Sequence, residues 1–381
     1  MRGLRLCTLF GIDICLDASL LIIFTLIIFV LGSSVFPGWH PDWPATTTWL
    51  TAVATGVLFF ASVLAHELAH SLVSRRFNIE VRRITLFLFG GLAEIREEPG
   101  EPRAEFLIAI AGPITSVAIG LLCMAIGTQL AGEEVARQLV DEQQAALAAL
   151  SPTATLFLWL GPVNIILGVF NMMPGFPLDG GRVMRALIWW VTGDLKQATR
   201  IAAASGRMFG WFLMILGVVQ ALSGALVQGL WLALIGWFLS NAASASYRQV
   251  VVKDVLKGVT ARDMMRSRFE TVPPQMRLSE FVDEHLLQSA QQLWPVVDEG
   301  QFIGLLTLLE VRGVNRENRS FTTVGQVMKT RLGTLTIHPD TDATRTMTAL
   351  DTQQSPLAVV EDGRIIGLIS EMDAVKWLFL R

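Results

Sequence analysis

Cysteine is scarce in this sequence: the 381 residues contain three, Cys7, Cys15 and Cys123. They are scattered without C-x-x-C spacing, and two fall in or beside apolar runs. This excludes a disulfide frame or a thiolate metal cluster and leaves buried thiols. Charge is scarce as well, with 17% charged residues against 52% hydrophobic ones and a mean hydropathy of +0.50. Such a chain is too apolar for an ordinary soluble enzyme and too long for one packed unit, so a membrane protein with a soluble appendage is expected. The net charge of −3 and the pI near 6.0 bring no broad basic face. Without one, no counterion release drives binding to nucleic acid. Histidine is the third shortage, at five residues.

The charge that exists is placed unevenly. About half of all Lys, Arg, Asp and Glu lie after Lys253, in the last third of the chain. A linker is therefore expected at 248–261, between a membrane part at 1–247 and a polar part beyond. Apolar spans read at about 15–33, 49–74, 104–131, 153–173, 207–224 and 226–246, each near the ~20 residues that cross a bilayer core. The 34–48 loop has no Lys or Arg, the next carries Arg75, Arg76, Arg82, Arg83, Arg96 and Arg103, and an acidic stretch at 132–143 follows the third span. By the positive-inside rule both termini are cytoplasmic, in a multi-pass protein of the cell membrane. The first span reads as retained and not as a cleaved signal peptide, because it carries Asp13 and Asp17 and lacks an A-x-A site.

Against this background the second span holds "LAHELAHSL", residues 64–72. His66 and His70 stand four apart, so on a helix they share a face, with Glu67 beside it. H-E-x-x-H suits a catalytic zinc: two neutral imidazoles and a third ligand leave an open position, and the glutamate takes a proton from water. The alternative is a hydrogen-bonded interhelical histidine pair, although ionisable groups within a span are costly and usually functional. The strongest third ligand is Asp179 in "NMMPGFPLDGGRVM", residues 171–184. Pro174 and Pro177 stop the fourth span, and Gly180 with Gly181 frees the backbone for a sharp turn. The rival for Asp179 is an N-cap of the helix that follows. Charge-based placement puts His70 and Asp179 at the same depth, roughly 10 Å inside one face.

H-E-L-A-H, the N-x-x-P-x-x-P-L-D-G-G stretch, "FLFGG" before the third span and "AGPITS" at 111–116 together resemble the intramembrane zinc proteases of the site-2 protease family, over about residues 1–247. The resemblance implies one Zn²⁺ per chain on His66, His70 and Asp179, Glu67 as the catalytic group, Asn171 in substrate handling, and a membrane-anchored protein substrate. An intramembrane Asn also bonds neighbouring helices. "VRRITLFLFGGLAEI", residues 81–95, reads as a membrane-associated hairpin with a Gly-Gly turn. Its edge would hold an unwound substrate by strand addition, Gly90 and Gly91 permitting close approach; the alternative is a plain interfacial hairpin.

Beyond residue 261, "VVDEGQFIGLLTLLEV" at 296–311 and "VVEDGRIIGLISEMDAV" at 359–375 match as strand, turn, strand and helix start. The tandem repeat resembles a pair of cystathionine-β-synthase (CBS) modules, 262–323 and 324–381, that implies adenine-nucleotide binding and a homodimer. The Ser/Thr-x-x-Asp of that family falls on Ser370 and Asp373 in the second module, whereas the first has Thr307 with Glu310, a departure. Ser370 also suits a helix cap. The expected fold is thus a polytopic α-helical membrane protein of about six spans plus a soluble α/β CBS pair. The expected activity is intramembrane zinc-dependent endopeptidase, against a CBS-regulated channel or transporter, or a silent scaffold.

Overall fold

The computed structural model describes residues 4–88, 90–95, 99–132, 143–289, 291–330, 335–353 and 356–379. Most of the acidic 132–143 stretch and Phe89 of the hairpin lie outside them. The chain divides into two compact units, Met1–Val250 and Val251–Arg381.

Among the described residues, six helices of the first unit are long and apolar enough to cross a membrane: α1 (Ala18–Trp39), α2 (Ala45–Arg76), α3 (Pro102–Ala131), α4 (Pro152–Asn171), α6 (Leu195–Leu222) and α7 (Leu226–Leu256), with the shorter α5 (Asp179–Thr192) between α4 and α6. Large apolar side chains such as Leu21, Phe29, Leu122, Trp211 and Phe212 are exposed, as lipid-facing residues must be, while small residues let helices approach. The fifth span begins at Leu195 and not near 207. Asp194 caps it, accepting from the Gln197 N–H at 2.9 Å, and Lys196 and Arg200 in its first turns mask the helix in a hydropathy reading. The 248–261 stretch is helical as far as Leu256.

The first span begins at Ala18, and the residues before it form strands, β1 (Leu4–Leu9) and β2 (Ile12–Leu16). The signal was the alternation of Ile12, Ile14 and Leu16 with Asp13 and Cys15; it was hidden by the apolar run into which it leads. Asp17 caps α1 by accepting from the Ser19 N–H at 2.9 Å, and its own N–H donates to the Leu86 carbonyl. The 81–95 hairpin forms β3 (Val81–Phe87) and β4 (Gly90–Ile95). These four strands make one sheet in the order β1-β2-β3-β4, antiparallel except for the parallel β2–β3 pair, so β4 is an edge. Ile12, Ile14, Ile84 and Leu86 pack with Val63 of α2, which fixes the sheet to the helix bearing the histidines.

The second unit repeats one pattern twice. β5 (Leu293–Asp298) and β6 (Gln301–Thr307) lead into α8 (Leu308–Arg312). β7 (Thr336–Ile337), β8 (Leu357–Glu361) and β9 (Arg364–Ile369) form the second sheet, β9 leading into α10 (Glu371–Phe379), with α9 (Ala343–Gln353) between β7 and β8. The modules exchange backbone pairs: Arg266 bonds reciprocally with Leu368 of β9, and Lys329 with Leu305 of β6. Their cores centre on Phe281, Trp294 and Leu306, and on Leu357, Val359 and Ile369.

Candidate active site

His66 and His70 lie one helical turn apart on α2, and Asp179 is the first residue of α5. His66 Nε2 stands 3.1 Å and His70 Nε2 3.2 Å from Asp179 Oδ2, and the two Nε2 atoms are 3.1 Å apart. Both histidines are buried. Their other ring nitrogens are held by α3: His66 Nδ1 meets Ser116 Oγ at 2.9 Å and His70 Nδ1 meets the Ile108 carbonyl at 2.7 Å. Anchoring each Nδ1 fixes the ring and turns Nε2 to the shared point, as metal-binding histidines require. Two imidazole nitrogens and one carboxylate oxygen are the donor set of a catalytic zinc with an open position, so the residues present fit the ion.

α3 contributes more to the site than the resemblance carried by "AGPITS" implies. A Cβ at Gly112 would lie 2.2 Å from His70 Nε2 and 2.5 Å from His66 Nε2, so only glycine lets α3 pass here. The glycine in "AGPITS" and its serine four residues on were the available signals. Gly180 and Gly181 act differently from expectation. Both lie in α5 with ordinary helical backbone, and their role is space: a Cβ on Gly180 would strike the Met172 carbonyl and one on Gly181 the Gly175 backbone. Asp179 is not the N-cap, a position taken by Leu178; its side chain turns to the histidines.

A cavity of about 550 Å³ opens on these groups and is also lined by Glu67, Gly90, Gly91, Asn171 and Arg182. Its walls are apolar, including Leu167, Phe170, Ile235 and Phe238. Glu67 packs on the sheet edge: a Cβ at Gly91 would fall 2.2 Å from its Cγ. Asn171 donates to the Leu167 carbonyl of its own helix at 3.0 Å. Behind the site, Arg185 of α5 forms a buried ion pair with Glu105 of α3, with an Nε–Oε1 distance of 2.6 Å, and its guanidinium lies 5.1 Å from the centre of the Phe176 ring.

In the second unit, Ser370 and Asp373 line a cleft of about 350 Å³ with Arg266, Leu293 and Lys376. The pair also caps α10: Ser370 Oγ donates to Asp373 Oδ2 at 2.7 Å, and the Asp373 N–H donates to Ser370 Oγ at 3.2 Å. Thr307 does not line that cleft. Its hydroxyl and N–H donate to Glu310, which pairs with Lys329 at 3.1 Å. Burial alone would raise the Glu310 carboxyl, but the Thr307 and Lys329 contacts outweigh it and hold the group below the usual carboxylate range.

The family description Peptidase family M50 matches residues 54–216, and that of the CBS domain matches residues 261–315 and 324–380. A Mycobacterium tuberculosis protein with the printed name "Putative zinc metalloprotease Rip3" is 34% identical over 365 residues, which cover 94% of this chain and 88% of that one. Zinc metalloprotease MJ0392 of Methanocaldococcus jannaschii is 29% identical over 320 residues, covering 84% of this chain and 83% of its own. Among solved structures, a site-2 protease from Methanocaldococcus jannaschii matches with a TM-score of 0.42 and 26% identity, over 65% of this chain and 95% of that one. The family match and the two zinc metalloprotease relatives set aside the channel and scaffold readings. By the identity and length it shares with the Mycobacterium tuberculosis protein, the chain belongs to the M50, or site-2 protease, family of membrane zinc metalloproteases and carries a tandem pair of CBS domains.

Proposed function

We propose that the membrane part, residues 1–247, hydrolyses a peptide bond in or beside a transmembrane segment of a membrane-anchored protein. The two CBS modules, 262–323 and 324–381, set its rate. One observation carries this reading: a single cavity brings together the His66–His70–Asp179 donor set, the Glu67 carboxylate and the Gly90–Gly91 end of a sheet edge.

His66, His70 and Asp179 would hold one zinc ion, which would supply Lewis acidity and acidify water there. Glu67 takes a proton from the attacking water and returns it to the leaving nitrogen. A transmembrane substrate hides its peptide bonds in helical hydrogen bonds, so it must unwind before it is cut. β4 offers the unwound segment backbone partners in place of those it loses. Gly90 and Gly91 leave room for the segment to lie close, and the Asn171 side chain, at the end of α4, presents its carbonyl oxygen to it. The arginine-rich loop that follows α2 supports a cytoplasmic position for this end of the site and for both termini.

In the CBS pair, Ser370 and Asp373 hold the ribose of an adenine nucleotide, with Arg266 and Lys376 near its phosphates. At the first module Glu310 stands in place of the aspartate and pairs with Lys329, which favours the second module over Thr307 as the nucleotide site. A homodimer through these modules accords with the exposed apolar side chains of Leu309 and Met372 on α8 and α10.

The test is cleavage of a labelled single-span substrate by detergent-purified wild type and Glu67→Gln, with bound zinc quantified in both. The reading requires that only the wild type cuts while both hold zinc, with the variant slowed by about 10²-fold or more. Equal cleavage by the two proteins, or a wild type without zinc, would falsify it.

A further inference from the structure

Two arginines stand three residues apart on α5 and have opposite surroundings. Arg185 is buried and paired with Glu105. Arg182 lines the catalytic cavity, is half-buried, and makes neither hydrogen bond nor ion pair among the described residues. Of the described residues lining that cavity it is the one Lys or Arg. It lies one turn beyond Asp179, hence on the same face of the helix. The charges that act on Glu67 include its guanidinium.

An unpaired guanidinium in a cavity with apolar walls is costly to keep. Its partner therefore arrives with the substrate. Glu67 and Asp179 already have duties, and the described residues lining the cavity offer no further anion. Hydrolysis makes one: the peptide C–N bond breaks, a C–O bond to water's oxygen forms, one water proton reaches the leaving nitrogen, and the new acid releases its proton to give a carboxylate. The oxygen of the scissile carbonyl gathers negative charge during the reaction and ends as part of that carboxylate. A guanidinium presents its N–H donors as a planar fork that matches a carboxylate with two bonds.

We infer that Arg182 is the anion-binding residue of the cleavage site, donating to the scissile carbonyl oxygen as charge develops and then holding the carboxylate of the amino-terminal product. This rests on the protease reading above and extends it to the fate of the product. A donor placed for developing charge favours the transition state over the bound substrate.

The experiment uses the full chain carrying Glu67→Gln, loaded with zinc, so that binding is read without turnover. Two probes compete with a fluorescent single-span substrate: a short apolar peptide ending in a free carboxylate, and the same peptide ending in an amide. The acid is expected to bind about tenfold or more tighter than the amide. Adding Arg182→Gln should shrink that ratio by about tenfold, and Arg182→Lys should restore part of it. In the Glu67 background, Arg182→Gln should lower kcat by roughly 10²-fold with KM within about twofold. An acid-to-amide ratio unchanged by Arg182→Gln overturns the inference, as does loss of zinc from that variant, which marks a structural role. Cleavage by Glu67→Gln alone is a separate failure, that of the base assignment, and leaves the binding ratio readable.

Discussion

At the scale of single residues, the metal centre depends on what is missing as much as on what is present. Gly112 has no side chain, and the histidine rings occupy the volume a methyl group would need. Gly112→Ala is therefore expected to empty the site, read as zinc per chain well below that of wild type in metal analysis. Ser116→Ala removes an anchor and not a ligand, so zinc should bind about 10–100-fold more weakly, measured by competition with a chelator. Wild-type affinity in both variants would show that α3 does not orient the rings. Of these residues, His66, Glu67, His70 and Asp179 were legible in the sequence because H-E-x-x-H and P-L-D-G-G are local patterns. Gly112 and Ser116 were not, because their function exists only once α3 crosses α2.

At the scale of elements, one stripe of α3 does several tasks. Glu105 pairs with Arg185, the Ile108 carbonyl holds His70, Gly112 admits the rings and Ser116 holds His66. Further along, Gly120 and Gly127 bring α3 against α4. Breaking the buried ion pair with Glu105→Ala should destabilise the membrane part by about 3–5 kcal/mol, seen as a lower Tm in detergent. Replacing both partners with Met should recover much of the loss. If the single variant unfolds like wild type, the pair does not clamp α5 to α3. The strand edge has its own test: Gly91→Val drives a side chain into Glu67, so cleavage should be lost while zinc stays, and undiminished turnover would remove β4 from the site. The β3–β4 hairpin was readable from its β-branched residues, although Gly90 and Gly91 are not its turn: they stand in β4, opposite Phe87 and Leu86. β1 and β2 were not, because six and five residues beside a long apolar run carry little signal of their own.

At the scale of the whole molecule, the two units were separable from charge alone, since lipid excludes charge and water does not. The six spans were legible for the same reason, and the fifth was displaced because its first turns are polar. The CBS repeat was legible as repeated strand, turn and strand, and so was the departure at Glu310; the structure adds that Ser370 and Asp373 line a cleft, whereas Glu310 pairs with Lys329. Equilibrium binding of an adenine nucleotide should therefore saturate at one per chain, change the cleavage rate, and disappear in Asp373→Ala but persist in Thr307→Ala. Two per chain, or none at millimolar concentration, would exclude this arrangement.

The sheet that ends at β4 also imposes a counting rule on the product. A guest strand hydrogen-bonded to β4 faces the cavity with every second residue, and slipping by one position turns all its side chains over, whereas slipping by two restores them. Each such step moves the chain by about 6.8 Å. Minor products from a single substrate should then differ from the main one by two residues, so that mass spectrometry of the fragments would show a ladder with alternate rungs absent.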